Sequence, residues 1–195
     1  RARGLRLVPD RAAAPRTREG RKRQGTLSPQ MTCPEWLTAR PIAHRGLHDA
    51  ERGVIENTSS AVAAAVQAGY AIEVDLQRSA DGEAMVFHDE ALGRLTEAGG
   101  LVRDRTAAEL KRLAFKATAD RMMTLGELLD LVGGRTPLVL ELKSVFDGDI
   151  AIAMRTAALL RGRAGPIAAM SFDPRLVATI GWRTPEVLRG LGARR

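Results

Sequence analysis

Between residues 71 and 77 the chain alternates strictly, with Ile72, Val74 and Leu76 set against Glu73, Asp75 and Gln77. In an extended strand successive side chains point to opposite faces, so the aliphatics share one face and the two acids share the other. The device returns at Val139-Leu140-Glu141-Leu142-Lys143, where Glu141 and Lys143 lie on one face and the leucines on the other. Carboxylates aimed into a shared interior repel each other and require a counter-charge. Two readings of the acids follow. They pair with arginines at a barrel rim, or they form an oxygen-rich site suited to Mg²⁺ or Ca²⁺.

Around these segments, short apolar runs alternate with helical patterns. The alternation predicts strands at 41–44, 71–77, 84–87, 137–143 and 166–170, with a sixth starting near Val187-Leu188. Thr58 is placed to cap a helix through Ala61, Val62, Ala65 and Val66 that Gly69 stops. Further helices are predicted at 106–113, 124–132, 149–161 and 174–180. Thr124 and Glu127 are spaced as a capping box, and Gly133-Gly134 ends their helix. Asp81-Gly82 is a turn signal. Strands alternating with helices imply an α/β protein with a parallel sheet.

Three histidines are present, and His44 and His88 fall at the ends of predicted strands, followed by Arg45-Gly46 and by Asp89. In β/α barrels the reacting groups come from the C-terminal ends of strands and the loops after them. One strand-end histidine is commonly structural. Two of them, with Arg45 and three acids, are hard to explain by packing, and two imidazoles can divide general-base and general-acid roles. His48, on a Gly/Asp-flanked loop, reads as a surface residue.

The formal net charge of +7 invites a nucleic-acid reading, so its location matters. Residues 1–30 hold nine Lys/Arg and two Asp/Glu, while the remaining 165 residues hold 21 of each sign. The body is therefore neutral and has no basic footprint, and no nucleic-acid partner is expected. The segment 1–30 is rich in Arg, Ala, Gly and Pro without a hydrophobic period, and is expected to be a disordered basic tail or upstream sequence ahead of a start at Met31. Cys33 is the sole cysteine, so no internal disulfide forms and a cytoplasmic location is expected. No apolar run approaches the roughly 18 residues of a spanning helix.

Ile42-Ala43-His44-Arg45-Gly46, then Glu56-Asn57-Thr58 before an Ala-rich helix, resembles the opening of the glycerophosphodiester phosphodiesterase family. Glu73-Val74-Asp75-Leu76-Gln77, Asp81-Gly82, Val86-Phe87-His88-Asp89, Thr124-Leu125-x-Glu127 and Leu140-Glu141-Leu142-Lys143 continue that pattern in order, from about Pro41 to Asp173. The resemblance implies a TIM-type (β/α)8 barrel that hydrolyses small glycerophosphodiesters, such as glycerophosphocholine, to glycerol 3-phosphate and an alcohol. It implies Glu73, Asp75 and Glu141 as ligands of a divalent cation, Mg²⁺ or Ca²⁺, and His44 and His88 as the acid–base pair. Arg45 and Lys143 then bind the substrate phosphate, with the base role given to His44 and the acid role to His88.

Ile55 and Met123 stand where many relatives carry proline, and the stretch from Asp89 to about Met123 is short, which argues against a large capping subdomain. Residues 31–195 are expected to hold a partial barrel of about five to six βα units, since a complete one takes eight units and typically about 250 residues. Its first and last strands would expose unpaired backbone edges, leaving a poor enzyme. Two other functions compete. One is a phospholipase C- or D-type phosphodiesterase acting on another phospholipid-derived substrate. The other is a catalytically silent fragment whose basic tail binds nucleic acid.

Overall fold

A computed structural model describes residues 5–7, 33–163 and 165–193. The elements run β1 (Leu5–Leu7), α1 (Glu35–Thr38), β2 (Ile42–His44), α2 (Ser59–Gln67), β3 (Ala71–Arg78), β4 (Ala84–Val86), α3 (Ala107–Leu110), α4 (Leu125–Val132), β5 (Leu138–Leu142), α5 (Ala151–Leu160), β6 (Ile167–Ser171), α6 (Pro174–Arg183) and β7 (Leu188–Gly192). Strands β2, β3, β5, β6 and β7 form a parallel sheet in the order β7-β6-β5-β3-β2. Helices α2, α4, α5 and α6 cover its outer side. Among the described residues this is an incomplete β/α barrel, with five parallel strands where a closed (β/α)8 barrel has eight.

The aliphatic face of the acid-bearing strands decides which side carries the helices. Ile72, Val74, Leu76, Leu138, Leu140 and Leu142 pack on Val62, Ala65, Leu125, Leu128, Leu129, Val132, Ile152, Ala157, Leu160, Leu176 and Ile180 in one continuous core. Each Val, Leu or Ile among them contributes about 1.5–3 kcal/mol when fully buried, against about 0–1 kcal/mol for an exposed ion pair, so helix–sheet packing carries the fold. The opposite face of the same strands, carrying Val139 and Ala168, packs on Leu37 and Trp36 of the α1 segment. That segment lines a cavity with Thr136, Pro137 and Pro166, the residues just before β5 and β6, at the N-terminal end of the sheet.

Local chemistry starts and stops the helices. The Thr58 hydroxyl oxygen accepts from the Ala61 amide and donates to the Ile55 carbonyl. Thr124 and Glu127 complete their capping box, and Gly133 at φ 56° ends α4. Asp173 caps α6 with Pro174 in its first turn.

Two expectations are corrected here. Ala84–Val86 is not a further parallel barrel strand: it turns back through Asp81-Gly82 and pairs antiparallel with β3, Leu76 opposite Val86. A two-residue turn signal leaves no room for the crossover a parallel neighbour needs. After this hairpin, residues 89–123 are built around a satellite core of Ile55, Met85, Phe87, Leu92, Val102, Leu110, Phe115 and Met122. The segment 1–30 is also not without structure throughout. Leu5–Leu7 pairs antiparallel with β7, Leu5 opposite Gly192 and Leu7 opposite Gly190. An edge strand offers a row of unpaired amides and carbonyls, which an extended segment satisfies whatever its side chains. The last strand is thus covered on its outer edge; the rest of the expected tail, and Met31, lie outside the described residues.

Gly46 shows how tightly the first loop is held. At φ 81° it occupies left-handed space, and a Cβ there would lie 2.8 Å from the Ala61 Cβ and 2.9 Å from the Ala61 carbonyl carbon in α2. Gly69 has φ 73° but nothing within 4 Å of its would-be Cβ. Gly69→Ala is therefore expected to cost only the backbone penalty, about 1–2 kcal/mol. Gly46→Ala must add a clash with helix backbone and cost more. Urea unfolding of both variants checks the order; equal losses would show that α2 moves aside freely.

Candidate active site

The strand register brings the acids together. Asp75 on β3 is opposite Glu141 on β5, and His44 on β2 is opposite Glu73 on β3. Glu73, Asp75 and Glu141 are all buried, and one oxygen from each lies within 4.8 Å of the others. The outward-facing Val74, Leu140 and Leu142 hold both strands against the helices, so these carboxylates have only the inward face to occupy.

Like charges at this distance need compensation, and cations and dipoles around them supply it. Lys143 Nζ lies 2.7 Å from Asp75 Oδ1 and 2.5 Å from Glu141 Oε1. Arg45 Nε lies 3.4 Å from Asp75 Oδ2, and the Arg45 backbone amide donates to Glu73 Oε2 at 3.2 Å. Asn57 grips Asp75 twice: its Nδ2 donates to Oδ2 at 2.9 Å and its Oδ1 accepts from the Asp75 amide at 3.2 Å. Arg45 and Asn57 both have left-handed backbones, φ 60° and 59°, and the Asn57 amide donates to the Arg45 carbonyl at 2.9 Å. Asn tolerates that region, whereas Arg adopts it at a cost, and such strain persists where surrounding bonds over-determine it.

Compensation is incomplete at Glu73. Its Oε1 is buried and makes no hydrogen bond. Burial and the neighbouring Asp75 charge push its pKa up to about 8, against the pull of the Arg45 amide and Lys143. An orphaned carboxylate oxygen beside two further carboxylates is an all-oxygen donor set, which fits a hard divalent cation.

The histidines approach from different directions. His44 Nε2 lies 3.8 Å from Glu73 Oε2, with its side chain 58% exposed. His88 arrives through the hairpin: beyond β4 the Phe87 amide donates to the Asp75 carbonyl, and Gln77 Nε2 donates to the His88 carbonyl. Its Nδ1 lies 2.7 Å from Asp89 Oδ1. His48 is exposed. Glu56, Asn57 and Arg94 had no role assigned from sequence, yet all three brace this end of the sheet. Arg45 donates to Glu56 at 2.8 Å, and Arg94 bonds both Glu56 and Asp89. For Glu56 and Asn57 the available signal was the Glu-Asn-Thr triplet; Arg94 offered none.

Comparison with known proteins places this geometry. Residues 44–158 match the family model described as "Glycerophosphoryl diester phosphodiesterase family". A glycerophosphodiester phosphodiesterase of Caldanaerobacter subterraneus is 39% identical over 111 residues, covering 53% of this chain and 44% of the relative. One of Bacillus subtilis is 36% identical over 119 residues, covering 53% and 39%. The chain thus spans less than half the length of these curated relatives. Among solved structures, a phosphodiesterase of Oleispira antarctica in complex with the product sn-glycerol-3-phosphate superposes with TM-score 0.69 at 28% identity, covering 78% of this chain and 66% of that one. A glycerophosphodiester phosphodiesterase from Agrobacterium tumefaciens gives TM-score 0.65 at 30% identity, covering 77% and 65%.

The state of Glu73 yields a test in chelator. An acid with a raised folded-state pKa binds its proton more tightly folded than unfolded. Its contribution is fully present below the unfolded value near 4.5 and is lost as pH rises towards about 8. Glu73→Gln removes that loss, so the metal-free variant should melt above wild type at pH 8.5 and close to it at pH 4.5. Each 1 kcal/mol recovered corresponds to about 2–4 °C in Tm. The same variant should lose the rise in Tm that millimolar Mg²⁺ or Ca²⁺ gives the wild type. A variant that keeps the full metal-induced rise would remove Glu73 from the ligand set.

Proposed function

The chain belongs to the glycerophosphoryl diester phosphodiesterase family, and from that premise we propose that it contributes the catalytic centre for hydrolysing small glycerophosphodiesters to glycerol 3-phosphate and an alcohol. The observation that carries the reading is the convergence of Glu73, Asp75 and Glu141 beside Lys143 and Arg45 at the C-terminal end of a parallel sheet. The related Oleispira antarctica phosphodiesterase, solved with sn-glycerol-3-phosphate, supports the product class.

In this reading Glu73, Asp75 and Glu141 hold a divalent cation, Mg²⁺ or Ca²⁺. Bound there, it would neutralise charge on the phosphate oxygens and ease deprotonation of the attacking group. Arg45 offers a planar fork to the non-bridging oxygens and Lys143 a compact charge beside them. His44, exposed at the mouth, takes the proton from the attacking water, or from a glycerol hydroxyl whose attack leaves a cyclic phosphodiester that water then opens to glycerol 3-phosphate. His88 gives a proton to the oxygen of the departing alcohol as its bond to phosphorus breaks. The Asp89 carboxylate can only accept, so the Nδ1 bonded to it carries a proton, and the proton given to the leaving oxygen is the one on Nε2 of the doubly protonated ring.

A cytoplasmic setting is consistent with the single cysteine, Cys33. No helix among the described residues is long and apolar enough to cross a membrane.

Purified chain incubated with glycerophosphocholine and Mg²⁺ or Ca²⁺ should release glycerol 3-phosphate and choline, and chelator should stop it. His44→Ala and His88→Ala should each lower kcat by roughly 10²–10⁴ while preserving the metal-induced rise in Tm. Release of phosphocholine instead would assign the scissile bond to the other side of phosphorus. Retained activity in a double-histidine variant would make both imidazoles structural.

A further inference from the structure

Arg94 ends a short 3-10 turn, Leu92–Arg94, that follows His88-Asp89, and its guanidinium bridges two carboxylates from separate loops. Towards Asp89, Nε lies 2.5 Å from Oδ2 and Nη2 is 3.2 Å from Oδ1. Towards Glu56, Nη2 lies 2.6 Å from Oε1 and Nη1 is 3.2 Å from Oε2. The Glu56 Oε1 that Arg94 holds also accepts from Arg45, and the Asp89 Oδ1 that it holds faces His88 Nδ1. One planar cation therefore stands between the residue proposed to grip phosphate and the residue proposed to protonate the leaving group.

We propose that Arg94 is a positioning residue that holds Asp89 on the His88 Nδ1–H, so that Nε2 is the nitrogen that takes up and gives the transferred proton, and that it couples this loop to Arg45 through Glu56. The inference rests on the hydrolytic reading only for its kinetic consequence.

Three observations favour positioning over plain stabilisation. Arg94 is 46% exposed, so each of its ion pairs adds little to stability. Its backbone is nevertheless anchored: Leu92 is fully buried in the satellite core, its amide bonds the Gly100 carbonyl, and its carbonyl accepts from the Thr96 amide. Burial raises the Asp89 carboxyl, but hydrogen bonds from Arg94 and His88 outweigh it and hold the group below its ordinary value. Glu56 is likewise held low, with Arg94 and Arg45 overcoming its burial. Without Arg94, Glu56 and Asp89 face each other's charge and Asp89 is free to turn to solvent. Lysine carries the charge without the fork and cannot bond both carboxylates in this manner.

The test uses Arg94→Ala and Arg94→Lys in the full chain, with Arg163→Ala at a separate surface pair with Asp130 as control. In ¹⁵N spectra at pH 8.5, wild-type His88 should show one protonated and one bare ring nitrogen. In Arg94→Ala the two signals should move towards each other as tautomers mix. The kcat should fall on the order of 10- to 100-fold, the scale for losing a partner that orients an imidazole, with Tm and metal affinity nearly unchanged. Added guanidinium should recover part of the Arg94→Ala loss, and Arg94→Lys should stay impaired. A single His88 tautomer in Arg94→Ala, or a kcat within twofold of wild type, overturns the proposal. So does a kcat loss that tracks a fall in Tm. If the wild type does not hydrolyse glycerophosphodiesters, the function above fails, and the ¹⁵N signature alone still decides the role of Arg94.

Discussion

Taking a carboxylate out of water costs on the order of several kcal/mol, and this chain buries three of them side by side. The surroundings of Glu73, Asp75 and Glu141 follow from that cost. Lys143 supplies the nearest positive charge, Arg45 reaches Asp75 from the adjacent loop, and Asn57 gives Asp75 both a donor and an acceptor. The left-handed turns at Arg45 and Asn57 aim these groups inward, and Gly46 lets the first turn press against α2. Glu73 has one oxygen still unbonded, and burial beside the Asp75 charge pushes its pKa well above the ordinary carboxylate range.

The same strands bear the load of folding on their other face. Val74, Leu140 and Leu142 are buried against α2, α4 and α5, so the carboxylates are held by aliphatic packing on which the site chemistry makes no demand. A costly inward face is tolerable because the outward face repays it. The division also explains where the site sits. Trp36 and Leu37 pack at the N-terminal end of the sheet, and the C-terminal ends of β2, β3 and β5 supply Arg45, Gln77 and Lys143.

Beyond the acids, charge alternates outward along a chain of contacts: Asp75, Arg45, Glu56, Arg94, Asp89 and His88. The outer links, from Arg94 to Glu56 and Asp89, are partly exposed ion pairs of small energy. Strung between two loops and a buried satellite core, they act on orientation more than on stability. The hairpin of β4 makes this possible, because it returns the chain to Asp75 and leaves His88 and Asp89 at the mouth of the sheet.

The aspects of this protein legible in its sequence are those governed by local rules. Alternation at 71–77 places Glu73 and Asp75 on one face, Thr58 and Thr124 cap their helices, and Gly133 stops one, because each depends on residues within one turn or one pleat. The apolar run Ala84–Val86 carries no mark of pairing direction by itself; the short Asp81-Gly82 turn before it does, and it makes the pairing with β3 antiparallel. The pairing of Leu5–Leu7 with β7 was invisible for a related reason: backbone groups satisfy an open edge and leave no side-chain pattern. Arg94 and Glu56 stand 38 positions apart, and nothing local to either predicts that one guanidinium meets both Glu56 and Asp89. The sequence by itself determined the strands, the caps and the acids, through periodicity and short-range hydrogen bonding. Which cations neutralise those acids, and which loops meet over them, only the tertiary structure decided, since both depend on contacts the chain makes with itself at long range.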